Sequence, residues 1–192
     1  MQTPQIVRLQ DVTPNPWKNG GGQTRELLAW PEVDRWRLRV SVAEIGSDGP
    51  FSSFSGVTRW FAVVAGKGVV LRFGSEERRL SMGSDPLRFD GAWSPGCQLV
   101  DGPTLDLNLM ICDGRGTMTT AYSGKPWGEN FAQRGLFARA AGRWVPDQGE
   151  PLALSPNTLL WQPEANPGLW RFEPDSVAPE NTAVGWWLGF TP

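Results

Sequence analysis

Histidine is absent from all 192 residues. That single absence removes the commonest metal ligand and the commonest general acid or base together. Histidine-based zinc centres, facial-triad iron sites and Ser-His-Asp hydrolases are excluded with it. An oxygen-only magnesium or calcium site would need a dense carboxylate cluster, and the sequence offers none. Cysteine is nearly as scarce: Cys97 and Cys112 stand alone, without CxxC spacing. Two buried, reduced thiols with packing roles are expected, with no disulfide, no metal and no cofactor. Long apolar runs are missing too, and the N-terminal MQTPQIVRLQ lacks the basic flank and apolar stretch of a signal peptide. A soluble, cytoplasmic protein is expected. A net charge of −2 and a pI near 5.2 leave no basic footprint, so neither nucleic acid nor an anionic membrane is an expected partner.

What is present is apolar, turn-rich and tryptophan-rich. Hydrophobic residues make up 40% of the chain, enough for a sizeable core, whereas 23 glycines and 17 prolines punctuate it too often for long helices. Eleven tryptophans against one tyrosine are expected to fill cores or interfaces.

The stretch WKNGGGQTRELLAW, Trp17 to Trp30, is the focal segment. Three consecutive glycines are entropically costly unless a positive φ or a close backbone approach requires them. Two readings stand: an ordinary glycine hairpin, or the rim of a ligand pocket. The phosphate-loop reading fails because no Gly-Lys-Ser/Thr ending and no helical period follow. Alternation from Thr24 predicts Thr24, Glu26, Leu28 and Trp30 on one strand face, with Arg25, Leu27 and Ala29 on the other.

Trp36 to Ile45 reads as a long alternating strand, with Trp36, Leu38, Val40 and Val42 forming an apolar face. Arg37, Arg39, Ser41 and Ala43 form the opposite face, which either lines a cavity or meets solvent. Gly46 to Gly56 is a turn-rich loop carrying Phe51 and Phe54. Two β-rich runs flank Gly66-Lys67-Gly68, which reads as a hairpin. GSEERR at 74–79 reads as a charged surface turn, and 89–96 as a loop. In LDLNLMI, Leu105, Leu107, Leu109 and Ile111 face one way, and Asp106, Asn108 and Met110 the other. Short β candidates continue to Phe190, and 131–140 is the one place where a helical turn is expected. The whole pattern indicates an all-β, antiparallel sandwich or barrel, with a weak break at Asp113 to Thr117.

Six segments together resemble the HutD/Ves family: WKNGGGQTRE (17–26), RVSVAEI (39–45), DGPFSSFSGVTRW (48–60), AGKG (65–68), FDG (89–91) and DLNLM (106–110). The resemblance covers the first 110 residues. It departs at Leu38, where the family usually has tryptophan, and Trp36 is expected to fill that volume from the same face. The resemblance implies two cupin-like antiparallel β-barrels in one chain, a bicupin, with one barrel over 1–113, the other over 114–192 and strands exchanged between them. It implies no metal chemistry, since the histidine motif of many cupins cannot exist here.

Carried over to this chain, the family motifs place Lys18, Asn19, Thr24, Glu26, Arg39, Ser41, Ser52, Arg59, Asp106 and Asn108 near the cavity of the first barrel, with Phe51 and Phe54 as apolar walls. The family's association implies an accessory or regulatory protein of histidine utilisation that senses an intermediate such as urocanate or N-formylglutamate. Arginine's paired donors match a carboxylate, which favours a small-carboxylate binding protein. Two alternatives remain open: an enzyme using Glu26 or Asp106 as proton acceptor, and an interaction module whose contact surface is the tryptophan-rich C-terminal half. A homodimer is left open as the protein partner.

Overall fold

A computed structural model of the chain describes residues 3–177, 179 and 181–192. Among the described residues there is no α-helix, only 3-10 turns at Leu9–Asp11 and Val33–Arg35. Strand β1 (Gln5–Arg8) opens the chain, followed by β2 (Asn15–Pro16), β3 (Gly22–Trp30), β4 (Leu38–Ile45), β5 (Gly49–Pro50) and β6 (Thr58–Ala65). Next come β7 (Val69–Phe73), β8 (Glu76–Leu80), β9 (Leu87–Asp90), β10 (Gly96–Leu99) and β11 (Thr104–Ile111). The remainder is β12 (Arg115–Tyr122), β13 (Gln133–Ala138), β14 (Gly142–Pro146), β15 (Leu152–Leu154), β16 (Thr158–Gln162), β17 (Trp170–Pro174) and β18 (Ala183–Thr191).

Two compact units result: Val12–Asp113, and the described residues before Val12 together with Gly114–Pro192. Strand β1 pairs antiparallel with β16, so the opening strand belongs to the sheet built by the second half of the chain. It is an edge strand, at one end of the order β1-β16-β13-β18-β12.

Unit Val12–Asp113 is a six-stranded sheet, β2-β3-β4-β11-β6-β9, and a four-stranded sheet, β5-β10-β7-β8. Ala43, Ile45, Phe61, Val63 and Phe89 from the first pack against Val69, Leu71, Leu80 and Cys97 from the second. The opposite faces of β4, β6 and β11 are buried as well, through Leu38, Val40, Trp60, Ala62, Leu107 and Leu109. These strands therefore carry near-continuous apolar burial rather than the half-buried alternation expected of β11. Each such side chain removed from water contributes roughly 1.5–3 kcal/mol.

The glycine turn at 66–68 does not close a hairpin. Strand β6 pairs with β11 and β9, and β7 with β10 and β8, so Gly66-Lys67-Gly68 carries the chain from one sheet to the other. Gly66 (φ 98) and Gly68 (φ 106) are both left-handed, and a Cβ on Gly68 would lie 2.1 Å from the Leu80 carbonyl oxygen. The hairpin instead lies in the segment expected to be a surface turn: β7 and β8 close around Gly74-Ser75, and Glu76 to Arg79 are strand. A crossover and a hairpin both need positive φ, which explains why the same residues signal either.

Unit Gly114–Pro192, with β1, pairs its five-stranded sheet with a three-stranded one, β15-β14-β17. The core between them is aromatic: Trp127 stacks on Trp187 with ring centroids 5.4 Å apart, and Trp170 meets Trp144 edge-on at 5.0 Å. Trp161 and Trp186 are buried too, so the tryptophans of the second half are interior and not a contact surface. Facing sheets leave wide gaps that large rings fill. The helical turn expected within 131–140 is strand β13, buried along its whole length.

Candidate functional site

The focal glycine segment is both a hairpin and a rim. Trp17 N–H donates to the Gly22 carbonyl, Gly20 (φ 72) turns the chain, and Asn19 Oδ1 accepts from Gly21 N–H at 3.0 Å. A Cβ on Gly22 would lie 2.3 Å from the Glu44 carbonyl oxygen, so the third glycine is required by close approach to β4. The Trp17 indole N–H donates to Thr24 Oγ1 at 2.8 Å, folding Trp17, Lys18 and Asn19 over the mouth of a cleft of about 470 Å³.

Strand register places the cleft's side chains in rows. Arg39, Met110 and Arg59 lie side by side on β4, β11 and β6, and Phe89 extends that row on β9. Ser41, Asn108 and Phe61 form the next row, reached from β3 by Glu26. Ala43, Asp106 and Val63 form the third, reached by Thr24. Alternation on β4 and β11 therefore reads as expected. On β3 it fails past Glu26: a bulge at Leu27 shifts the register, so Ala29 pairs with Arg39 while Leu28 and Trp30 pair with Val40 and Leu38 on the opposite face. Trp36 lies outside β4, and the Arg39 guanidinium sits over its ring at 5.1 Å.

Arg59 is 6% exposed. It donates to Asn108 Oδ1 at 2.9 Å and to the Ser52 carbonyl at 3.2 Å, while Phe51, Phe54 and Phe89 surround its guanidinium at 5.3, 5.6 and 5.1 Å. Arg39 donates to Met110 Sδ at 3.1 Å, and its guanidinium too lies over Phe54, 5.3 Å from the ring centroid. The Nε–H of each arginine is buried without an acceptor, and among the described residues neither forms an ion pair. Burial lowers the pKa of both. Arg59 falls to about 10, by desolvation first and then by the like charge of Arg39, whereas the Glu26 carboxylate partly offsets the desolvation of Arg39. Both remain cations at neutral pH, one buried and one half-buried like charge that an anion would stabilise.

Lys18, Asn19, Thr24, Arg39, Ser41, Phe51, Ser52, Phe54, Arg59 and Asn108 all line the cleft. Two residues expected with them do not. Glu26 acts on Arg39 through space from β3, and Asp106, the register partner of the cleft-lining Ala43, is not itself among the residues that line the cleft. Asp106 is fully buried; Oδ2 accepts from Thr104 Oγ1 at 2.6 Å and Oδ1 has no partner. Burial raises its pKa to about 7 against that hydrogen bond. Residue-type reasoning also missed Met110, Phe61 and Ile45, which line the cleft on the faces of Asn108, Arg59 and Ala43. Extending each alternation by two positions identifies them.

Cys97 is buried, its thiol pushed up to about 12 by burial and by Asp106 and Asp48. Cys112, expected to be buried, is exposed and donates to the Trp36 carbonyl at 3.0 Å, because it follows the end of β11. Among the described residues no group of three Cys, Asp or Glu side chains is arranged to hold a metal, and no helix is long and apolar enough to cross a membrane.

Residues 9–166 match the family model described as HutD. A Pseudomonas putida protein named "Uncharacterized 21.2 kDa protein in hutC 3'region" is 34% identical over 113 residues, covering 58% of this chain and 60% of that protein. Protein Ves of Cronobacter sakazakii is 28% identical over 153 residues, 79% of this chain and 83% of its own. Among solved structures, a conserved protein of unknown function from Pseudomonas aeruginosa PAO1 superposes with a TM-score of 0.83 at 27% identity, over 100% of both chains. HutD from Pseudomonas fluorescens SBW25 gives 0.77 at 26% identity over 98% of both chains. A Cupin 2 conserved barrel domain protein from Leptotrichia buccalis gives 0.55 at 12% identity, covering 98% of this chain and 96% of that one, a likeness of fold alone. The architecture is cupin-like, with two facing-sheet units in one chain.

Proposed function

The chain belongs to the HutD family, which is linked to a histidine-utilisation locus, and from that premise we propose that it is a metal-independent binding protein for a small carboxylate. In this reading it is an accessory or regulatory component that senses an intermediate such as urocanate or N-formylglutamate. The observation that carries the reading is the row Arg39, Met110, Arg59, a buried and a half-buried guanidinium that form no ion pair among the described residues, at one cleft. Each offers paired donors to a carboxylate, and a cleft of about 470 Å³ suits a small molecule. Phe51, Phe54 and Phe61 supply an apolar wall for the planar or aliphatic part of the ligand, and Lys18 and Thr24 stand on the side of the rim.

An enzymatic role receives less support. The two candidate proton acceptors, Glu26 and Asp106, are not among the described residues that line the cleft. Titration calorimetry with urocanate, N-formylglutamate and their methyl esters tests the proposal. Saturable binding of a free carboxylate, with loss of affinity on esterification, is expected; absence of binding by every carboxylate removes it. NMR of the recovered ligand separates binding from turnover, since a binding protein returns the ligand unchanged.

A further inference from the structure

We infer that strand β8 is a self-association edge at which a second copy of this chain adds its own β8 antiparallel to form a two-fold dimer. This surface is independent of the cleft and of the proposed ligand. Strand β8 ends the four-stranded sheet, pairs only with β7 among the described residues, and exposes Glu76, Glu77, Arg78 and Arg79. An uncovered edge presents a row of backbone donors and acceptors to any strand that can approach.

Charges on an edge usually repel such an approach. Here their order is self-complementary. Residues directly opposite each other in an antiparallel ladder share a sheet face, so a two-fold pairing must be centred on one residue. Centring it on Arg78 overlaps all 5 residues of β8 with the second copy. Glu77, whose carboxylate also holds Arg72 at 2.7 Å on β7, then stands opposite the second copy's Arg79, and by symmetry Arg79 opposite its Glu77. Opposite charges in directly opposed positions stabilise a ladder, whereas like charges destabilise it. The one like pair, Arg78 with its symmetry mate, is buffered because each Arg78 already holds its own Glu76 at 2.9 Å. Arg79 has no ion pair within the chain among the described residues, so the second copy supplies its counter-charge.

The same register carries the second copy's Met82 toward the Gly74-Ser75 turn. That turn forms one wall of a groove of about 480 Å³, whose other wall bears Trp93, itself 56% exposed and edge-on to Phe73 at 5.7 Å. A thioether against an aromatic edge is a favourable contact and enlarges the interface beyond the strand itself. Such a pairing is isologous, so it closes as a dimer and does not propagate.

Sedimentation velocity over a concentration series tests the inference with wild type, R79E, E77R and an equimolar mixture of the two variants. Both substitutions fall on exposed positions, E77R also removes the ion pair with Arg72, and circular dichroism checks that the fold is intact. Wild type should dimerise, and each variant alone, which opposes like charges at both symmetry-related positions, should dissociate at least about tenfold more readily. The mixture should regain wild-type affinity, because a heterodimer of R79E with E77R restores opposite charges at both positions. A wild type that is monomeric at every concentration, variants that associate as wild type does, or a mixture as weak as its components overturns the inference.

Discussion

Arg39 and Arg59 are both register partners of Met110, one on each side of it, and their guanidiniums lie 5.3 and 5.6 Å from the Phe54 ring. Neither forms an ion pair among the described residues; burial lowers the pKa of both, the charge of Arg39 lowers that of Arg59 further, and the Glu26 carboxylate partly offsets the burial of Arg39. The arrangement keeps an anion-seeking pair in an aromatic setting where water screens it weakly.

Removing one of these cations should therefore weaken carboxylate binding. Charge-assisted hydrogen bonds contribute roughly 1.5–3 kcal/mol, so Arg39→Gln or Arg59→Gln should raise Kd by about 10- to 150-fold in titration calorimetry. Arg143→Ala, which breaks only an exposed ion pair with Glu173, should leave Kd unchanged. Wild-type affinity in both arginine variants would place the anion elsewhere.

Asp106 should make stability fall with rising pH. Its folded pKa is raised from 3.8 to about 7, so between those values the folded state binds more protons than the unfolded state. The contribution is fully present below about pH 4 and lost as pH rises through about 7, an effect of up to about 4 kcal/mol. Urea unfolding across this range should show Asp106→Asn gaining stability relative to wild type as pH increases. A difference between the two proteins that does not change with pH would show that the carboxyl is not held protonated.

Two glycines with positive φ should respond oppositely to a side chain. Gly68→Ala drives a Cβ against the Leu80 carbonyl at the crossover between sheets and should cost at least about 2 kcal/mol in urea unfolding. At Gly74, φ is 62 and nothing lies within 4 Å of the added Cβ, so Gly74→Asn should change stability by less than about 1 kcal/mol. Equal losses at both positions would mean that φ, and not the close approach, sets the requirement.

The tryptophan core of the second half should be intolerant of truncation. Trp170 is fully buried, and the Arg134 guanidinium lies 4.1 Å from its ring while donating to the Gly168 carbonyl at 2.9 Å. Trp170→Ala should cost about 3–5 kcal/mol through the cavity it leaves. Trp93→Ala, at an exposed position, is the comparison and should cost far less; a similar small loss at Trp170 would contradict its role in the core.

Much of the cleft was legible in the sequence because β4 and β11 are regular. Arg39, Ser41 and Ala43, like Asn108 and Met110, fall on one face by simple alternation, and the structure keeps them there. Strand β3 was legible only to Glu26, since the bulge at Leu27 has no glycine or proline to announce it. The charged run at 76–79 read as a turn because its side chains suit solvent, yet pairing with β7 makes it strand. Its strand character comes from the backbone of a neighbour and not from its own propensity.

What the sequence determined alone was chemistry: the absence of histidine excludes imidazole ligands and bases whatever the fold, and side-chain alternation assigns faces within each regular strand. Tertiary structure alone decided that β4 and β6 flank β11 in a register that aligns Arg39 with Arg59, and that Asn108 lines the cleft while the fully buried Asp106 does not. Alternation is a local property of one backbone. Register between strands distant in the chain depends on how both sheets pack, and a shift of one residue would have turned either arginine to the opposite face.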